Sequence, residues 1–463
     1  MLRVHTEETG SYCDGMSRRS FVQIGVAGMA TVGMSDVLRA AGTSESRRSD
    51  RSVILIWLDG GPSHLDLYDM KPQAPAEYRG MWNPIATNVP GMEITELFPL
   101  QAKQANKFSI VRSLYHDTGD HFAGGHRMLT SKDMGVSGAN TEGRFPSIGS
   151  ILTRQLGARH PSMPAYTAVP VASSIGLVPG YFGGNWLGGQ YDPFQTGGDP
   201  NQAEFRIDNL MLQGGLTMER LQDRRSLVNA LDRMARRADS DRQFVVRDRF
   251  DADAYDFVTG ERARKAFDLS SEDETVRNLY GRDSWGQSTL LARRLVEAGT
   301  RFVTVHFGGW DHHWDLQSGM ESYLPRVDKA VAALFEDLSQ RGLLDNTLVV
   351  LCGEFSRTPL INDGGNGGPP LSKGSPGRDH WGAAMFCLLG GGGVKGGTIV
   401  GSTDARGTRP LTRAVRPEHI HATIYRAMGI DPKLQLLDHR GRPTSVLDDP
   451  TPIHELLSDS ASA

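Results

Sequence analysis

Cysteine is almost absent from this chain: three in 463 residues, at Cys13, Cys352 and Cys387. So few build no disulfide framework, and with no CxxC pair or Cys/His ribbon spacing a zinc ribbon is excluded too. Cys352 and Cys387 each lie inside an apolar run, where a free thiol packs as a small hydrophobe. A surplus of positive charge is also missing. Lys and Arg number 50 against 54 Asp and Glu, a formal net charge of -4, so the basic footprint of a nucleic-acid-binding protein is not there. No apolar run has the length of a stable membrane span, and no internal repeat is visible. Hydrophobic residues make up 38% and charged ones 22%, near globular averages, which excludes wholesale disorder. Glycine is in excess at 54 residues, well above the usual share of ~7 per cent. Much of it follows apolar runs, where α/β proteins build their sites.

The N-terminus carries a sorting pattern. Ser17-Arg18-Arg19-Ser20-Phe21 precedes a small-residue apolar stretch from Val22 to Met34, and Leu38-Arg39-Ala40-Ala41 follows. Paired arginines ahead of a mildly hydrophobic run are the mark of a twin-arginine export signal; an amphipathic first helix is the alternative. The pattern predicts a signal peptide over residues 1–41, recognised by the twin-arginine translocase, a polar linker over 42–51, and a mature protein that is periplasmic or secreted. Cys13 then leaves with the signal.

The run Val53-Ile54-Leu55-Ile56-Trp57-Leu58 is continuously apolar and ends at Asp59-Gly60-Gly61. Continuous rather than alternating hydrophobicity predicts a strand covered on both faces. Similar runs span 108–114, 301–307, 347–352 and 383–389, while 291–298 and 323–340 return apolar residues every three or four positions, as helices do. Strands alternating with helices predict an α/β fold, a mostly parallel central sheet with helices on both faces. It fills residues 52–455 and leaves a tail at 456–463. The stretch of about 172–264 breaks the alternation. Its first half is rich in glycine and aromatics, around Tyr181-Phe182-Gly183-Gly184-Asn185-Trp186, and its second half is a charged helical stretch over 218–242. It reads as an inserted segment, either a lid or recognition element or a surface decoration. The Gly/Pro/Ser-rich loop 363–378 has the length of a functional or disordered loop.

In an open α/β sheet, ligands bind beyond the carboxyl ends of the strands, so side chains distant in sequence converge there. The capable residues at such ends are Asp59 with His64 and Asp66; Asp120, His121 and His126; Asp311, His312, His313 and Asp315; and Glu354, then Asp379 and His380. Oxygen and imidazole donors suit a divalent cofactor metal, whether zinc, calcium, magnesium or manganese. Most have a structural alternative. Asp59 closes a turn, Ser63 caps a helix, and His421 lies on an amphipathic helix where core packing accounts for it. Gly309-Trp310-Asp311-His312-His313-Trp314-Asp315 resists such a reading, because two imidazoles and two carboxylates in five positions would otherwise be desolvated without return. Arg127 and Arg357 have the fork geometry that steadies a tetrahedral anion or, equally, pairs with a structural carboxylate.

Asp59-Gly60-Gly61-Pro62-Ser63-His64-Leu65-Asp66 with the apolar run before it, Gly309 to His313, Gly353-Glu354-Phe355-Ser356-Arg357-Thr358-Pro359, Gly377-Arg378-Asp379-His380-Trp381 and His421-Ala422-Thr423-Ile424 resemble the family called domain of unknown function 1501. That family is grouped with the alkaline-phosphatase-like superfamily, which includes sulfatases, phosphodiesterases and phosphoglycerate mutases. The resemblance implies a metal-dependent hydrolase of a sulfate or phosphate ester, acting outside the cytoplasm on a small-molecule or polysaccharide substrate. It implies that Asp59 binds metal beside the nucleophile and that Glu354 stands for a metal-binding aspartate. Asp311, with His313 or Asp315, would begin the ligands of a second metal, and His380, after Asp379, would complete them. Two positions depart from the superfamily pattern: Phe355 stands where a ligand His or Asn is common, and His121 takes the nucleophile's place. A histidine there attacks phosphorus, replaces the missing ligand or activates metal-held water; the last is preferred because it needs no covalent intermediate. Ser63, Ser113 and Thr118 are alternative hydroxyl nucleophiles. The departures also admit a binding or scaffold protein without turnover, and the aromatic segment admits carbohydrate binding.

Overall fold

The computed structural model describes residues 50–134, 143–207, 256–257, 259–364 and 373–457. The expected signal peptide, the linker up to residue 49, the 218–242 stretch, residues 365–372 and most of the tail lie outside the described residues.

All seven residues of β1 (Ser52–Leu58) are buried, and period-two alternation sends them to opposite sides. Ile54, Ile56 and Leu58 join one core; Val53, Leu55 and Trp57 join another. This two-sided burial is why the run shows no polar alternation. The strand lies inside an eight-stranded sheet with β2 (Phe108–Leu114), β3 (Tyr166–Val169), β4 (Phe194–Gln195), β5 (Phe302–Phe307), β6 (Thr347–Cys352), β7 (Met385–Gly390) and β8 (Ile399–Val400), in the spatial order β8-β2-β7-β6-β1-β5-β3-β4. Neighbours pair parallel except β7, which is antiparallel to both β2 and β6. The mostly parallel sheet is therefore present, and the five apolar runs are β1, β2, β5, β6 and β7. Strand β4 falls within the stretch read as an insertion and pairs with β3, so part of that stretch belongs to the sheet.

Five principal helices cover the faces: α1 (His121–Thr130), α2 (Ile148–Leu156), α3 (Ser284–Ala298), α4 (Leu316–Gln340) and α5 (Pro417–Met428). Leu291 and Leu295 of α3 and Leu324 and Val331 of α4 fill the core under Ile54, whereas Met128 of α1, Ile151 of α2 and Ile424 of α5 fill the core under Val53. Burial of each such side chain contributes about 1.5–3 kcal/mol. Helix α4 starts before the expected boundary and runs through Pro325. Buried Leu316 and Met320 carry its apolar stripe back to Asp315. No helix among the described residues is long and apolar enough to cross a membrane.

Register places the site. Leu58 pairs with Phe307 and Trp57 with Cys352, so β1, β5 and β6 end level with one another. Strand β7 runs the other way: Met385, at its start, pairs with Leu114, the last residue of β2. The chain before β7 thus reaches the same rim as the chain after the parallel strands.

Candidate metal centre

Helix α1 opens the site. Asp120 Oδ1 accepts a hydrogen bond from Ala123 N at 2.9 Å, an N-cap that sets His121 as the first helical residue. From there His121 Nδ1 lies 2.7 Å from Glu354 Oε1, and Nε2 lies 3.5 Å from Asp311 Oδ2. Two further histidines repeat the arrangement. His380 Nδ1 donates to the Gly119 carbonyl at 2.6 Å and its Nε2 is 3.0 Å from Asp311 Oδ1. His313 Nδ1 donates to Asp379 Oδ1 at 2.8 Å, with Nε2 3.1 Å from Asp311 Oδ1 and 2.9 Å from His380 Nε2. Each imidazole is held through Nδ1 by a carboxylate or a carbonyl, and the three Nε2 atoms converge on one carboxylate. That is how metal-binding histidines are oriented in proteins.

The donor set fits a metal. Ligand atoms of His121, Asp311 and His380 all lie within 4.8 Å of one another. The donor-to-donor distances of 2.9 to 3.5 Å bracket the edge of a tetrahedron with ligands at ~2.0 Å, about 3.3 Å. The charges agree. Burial works against the Asp311 carboxylate, but His121, His313, His380 and Arg357 hold it far below the usual carboxylate range. Burial likewise works against charging His121, yet Asp311 and Glu354 on its two sides lift it to about 9. Asp311 raises His313 against its burial, whereas burial and the nearby Arg357 and His121 lower His380.

Beside this trio lie two buried carboxylates. Glu354 Oε1 accepts from Gly60 N at 2.8 Å, and Asp59 Oδ2 accepts from Ile175 N at 2.8 Å and meets His306 Nε2 at 3.1 Å. Their other oxygens, Asp59 Oδ1 and Glu354 Oε2, are buried with no hydrogen-bond partner among the described residues. An orphan carboxylate oxygen in the interior is costly, and a cation is one group that satisfies it. Burial and the charge of Asp59 push the Glu354 carboxyl upward, despite His121. Tyr181 is buried, and its hydroxyl has no hydrogen-bond partner among the described residues. An added Cβ on Gly125 would come within 2.5 Å of that hydroxyl, and one on Gly124 within 2.9 Å of the Glu354 carbonyl.

Of the residues expected at the site, Asp311, His313, His380, His121 and Glu354 are brought together, with Asp59 one residue from Gly60. Asp379 sits behind His313 as its orienting partner. Arg357 is fully buried, and its guanidinium donates to the carbonyls of Gly60, Gly61 and Arg378 and to Asp311 Oδ1. These bonds make it the holder of Asp311. Arg127 meets Glu418 of α5 at 3.3 Å. Arg357 is thus bonded to the protein through Nε and both terminal nitrogens, whereas Arg127 makes this ion pair and has a buried Nε without a partner among the described residues. His64 bonds Ser356 and the Gly407 carbonyl, and Asp66 pairs with Arg378. His126 and His421 bond the carbonyls of Lys132 and Met128. His312 packs against Tyr323, and Asp315 precedes α4 and bonds Ser375. Ser113 donates to the Arg413 carbonyl and Thr118 accepts from Asp120 N. Ser63 takes the N-cap position before His64 but makes no capping bond; its hydroxyl is buried without a partner among the described residues. Phe355 packs its ring 4.8 Å from His121 and 4.5 Å from His380.

Sequence reasoning missed His306, His116 and Tyr181. His306 lies within β5, where it is the one ionisable side chain among Phe, Val and Thr. His116, just beyond β2, bonds the Glu354 carbonyl at 2.6 Å; its place after a strand was the available signal.

The chain is similar to several solved structures. Ps i-CgsB in complex with k-i-k-neocarrahexaose shares 13% identity at a TM-score of 0.38, over 86% of this chain and 75% of that one. The PsFucS1 sulfatase from Pseudoalteromonas sp. shares 12% at 0.36, over 86% and 71%. Alkaline phosphatase from the Antarctic bacterium TAB5 shares 13% at 0.33, over 73% and 90%. Likeness at this level assigns no function. No curated protein matches the sequence. A family model does match, over residues 50–457, and by that match the chain belongs to the family described as Protein of unknown function (DUF1501).

Proposed function

We propose that the chain is a metal-dependent hydrolase of a sulfate or phosphate ester, exported by the twin-arginine route and acting outside the cytoplasm. The observation that carries the hydrolase reading is the convergence of three Nδ1-anchored histidines on Asp311. His121, Asp311, His313 and His380 would hold the ion, with Asp59 and Glu354 as neighbouring oxygen donors. Three imidazoles and a carboxylate favour zinc over calcium and magnesium, which prefer oxygen shells. When bound, such an ion supplies Lewis acidity toward an ester oxygen and toward water. The chain's own groups do the rest. Arg357 fixes Asp311, Asp379 and Gly119 fix two rings, and the His121–Glu354 pair holds a proton at Nδ1 within the site.

Elemental analysis of the purified protein is expected to find about one to two divalent ions per chain, with Asp311→Asn lowering occupancy. A panel of aryl sulfates and phosphate mono- and diesters is expected to show turnover that Asp59→Ala or Asp311→Asn removes. Metal-loaded protein with no turnover above those controls would leave the alternative, a binding or scaffold protein. Phe355 and the engaged Arg357 favour that second reading, because neither a ligand nor a free guanidinium stands where it would assist.

A further inference from the structure

Beside Asp59 the chain makes a two-residue turn of an unfavourable kind. Ser174 N donates to the Leu177 carbonyl at 2.8 Å, and Leu177 N donates back to the Ser174 carbonyl at 3.0 Å. The residues between them, Ile175 and Gly176, have φ of 41° and 79°, the left-handed pair of a type I′ turn. That turn takes Asn-Gly or Asp-Gly by preference. A β-branched residue at positive φ is a conformational outlier, and such strain is held only where surrounding structure imposes it. Here the Ile175 N–H is donated to Asp59 Oδ2 at 2.8 Å, which ties the turn to the carboxylate.

What the turn presents is apolar. Ile175 is 40% exposed, Leu177 47% and Val178 65%. Eight large hydrophobic side chains are exposed among the described residues, and three of them fall in these four positions. Scattered single cases need no explanation, but a cluster bordering a site does. Of the aromatics of the same segment, Tyr181 and Phe182 are buried and offer a sugar no platform, and Trp186 is half-buried.

We propose that the tip formed by Ile175, Leu177 and Val178 is the leaving-group subsite of the centre, and that the substrate is an ester of an apolar, aryl or alkyl, alcohol. The inference rests on the hydrolase reading for its chemistry. Its test is binding, so the two fail separately.

The probes are benzylphosphonate, in which a methylene replaces the ester oxygen of phenyl phosphate, and 2-hydroxyethylphosphonate, with the matching pair of sulfonates. Calorimetry on metal-loaded full-length protein should show the benzyl member of at least one pair binding roughly tenfold or more tightly. Two variants should lose that preference while holding the hydroxyethyl probe within about twofold of wild type. In one, Leu177→Ser with Val178→Ser, the Asp59 contact is untouched. The other, Ile175→Asn, suits the left-handed turn. Equal binding of the two probes by wild type, no binding of any probe, or a preference that survives in both variants overturns the proposal. So does an equal loss of both probes in the variants, which would mark the tip as merely structural. Turnover on the ester panel without a benzyl preference spares the hydrolase reading and removes the subsite; a preference without turnover does the reverse.

Discussion

A single histidine gives the metal-free centre a pH dependence on the alkaline side of neutrality. His121 is lifted to about 9 because Asp311 and Glu354 outweigh its burial. A folded-state pKa above the unfolded value stabilises the protein fully below the unfolded pKa, ~6.5, and that contribution disappears as pH rises through the folded one. Metal-free protein should therefore lose stability between about pH 6.5 and 9, read as a falling midpoint in urea unfolding. Metal affinity should move the opposite way. The Nε2 of His121 must give up its proton to become a ligand, so binding at pH 7 should release about one proton from this residue, with affinity rising roughly tenfold per pH unit toward 9. Calorimetric titration in buffers of different ionisation heat measures the release directly. No proton release at pH 7 would mean that His121 is not a ligand. Removing an orienting partner is a milder change: Asp379→Asn, behind His313, should weaken metal binding about 10–100-fold. Of the proposed ligands, Asp311 and His313 stood out in the sequence because they crowd into one short loop. His306 did not, since only its register with Trp57 in β1 shows that it reaches the end of the sheet.

At the scale of the element, α1 shows where local propensity and tertiary packing disagree. Gly124 and Gly125 lie inside the helix, where glycine costs about 0.5–1 kcal/mol relative to alanine. By propensity alone Gly124→Ala should stabilise. Packing reverses the sign: an added methyl would lie 2.9 Å from the Glu354 carbonyl and 3.2 Å from the Phe355 ring. The glycines let α1 approach closely enough for His121 to reach Glu354. Gly124→Ala should then destabilise by about 1–3 kcal/mol and lower metal occupancy, both measured on one preparation by urea unfolding and elemental analysis. A gain in stability with occupancy intact would show that this close approach is unnecessary. The long strands were legible from unbroken apolar runs. Strands β4 and β8, two residues each, were not, because so short a run has no period to read.

For the whole molecule, the reversal of β7 decides whether there is a site at all, and nothing in its apolar run announces direction. If β7 ran parallel, Asp379 and His380 would enter from the opposite edge of the sheet. Reversed, they reach the rim, and two devices hold them there. Ser356–Arg357 pairs antiparallel with His380–Trp381, and Arg378 is clamped to the chain after β1 through Asp66 at 3.0 Å, with neither side chain exposed. Arg378 also donates to the carbonyls of Arg79, Thr358 and Pro359. Removing one partner of a buried pair leaves the other charge uncompensated, a loss of about 3–5 kcal/mol. Asp66→Ala should show that loss in urea unfolding and, because His380 lies two residues from Arg378, weaken metal binding as well. Asp66→Leu combined with Arg378→Met separates the two effects. A well-packed apolar pair restores stability in many buried sites, but it cannot replace the carbonyl contacts that position His380. The double variant should thus recover a good part of the stability while metal affinity stays low. Recovery of both together would show that the clamp serves only folding and that His380 is placed by its own bond to Gly119.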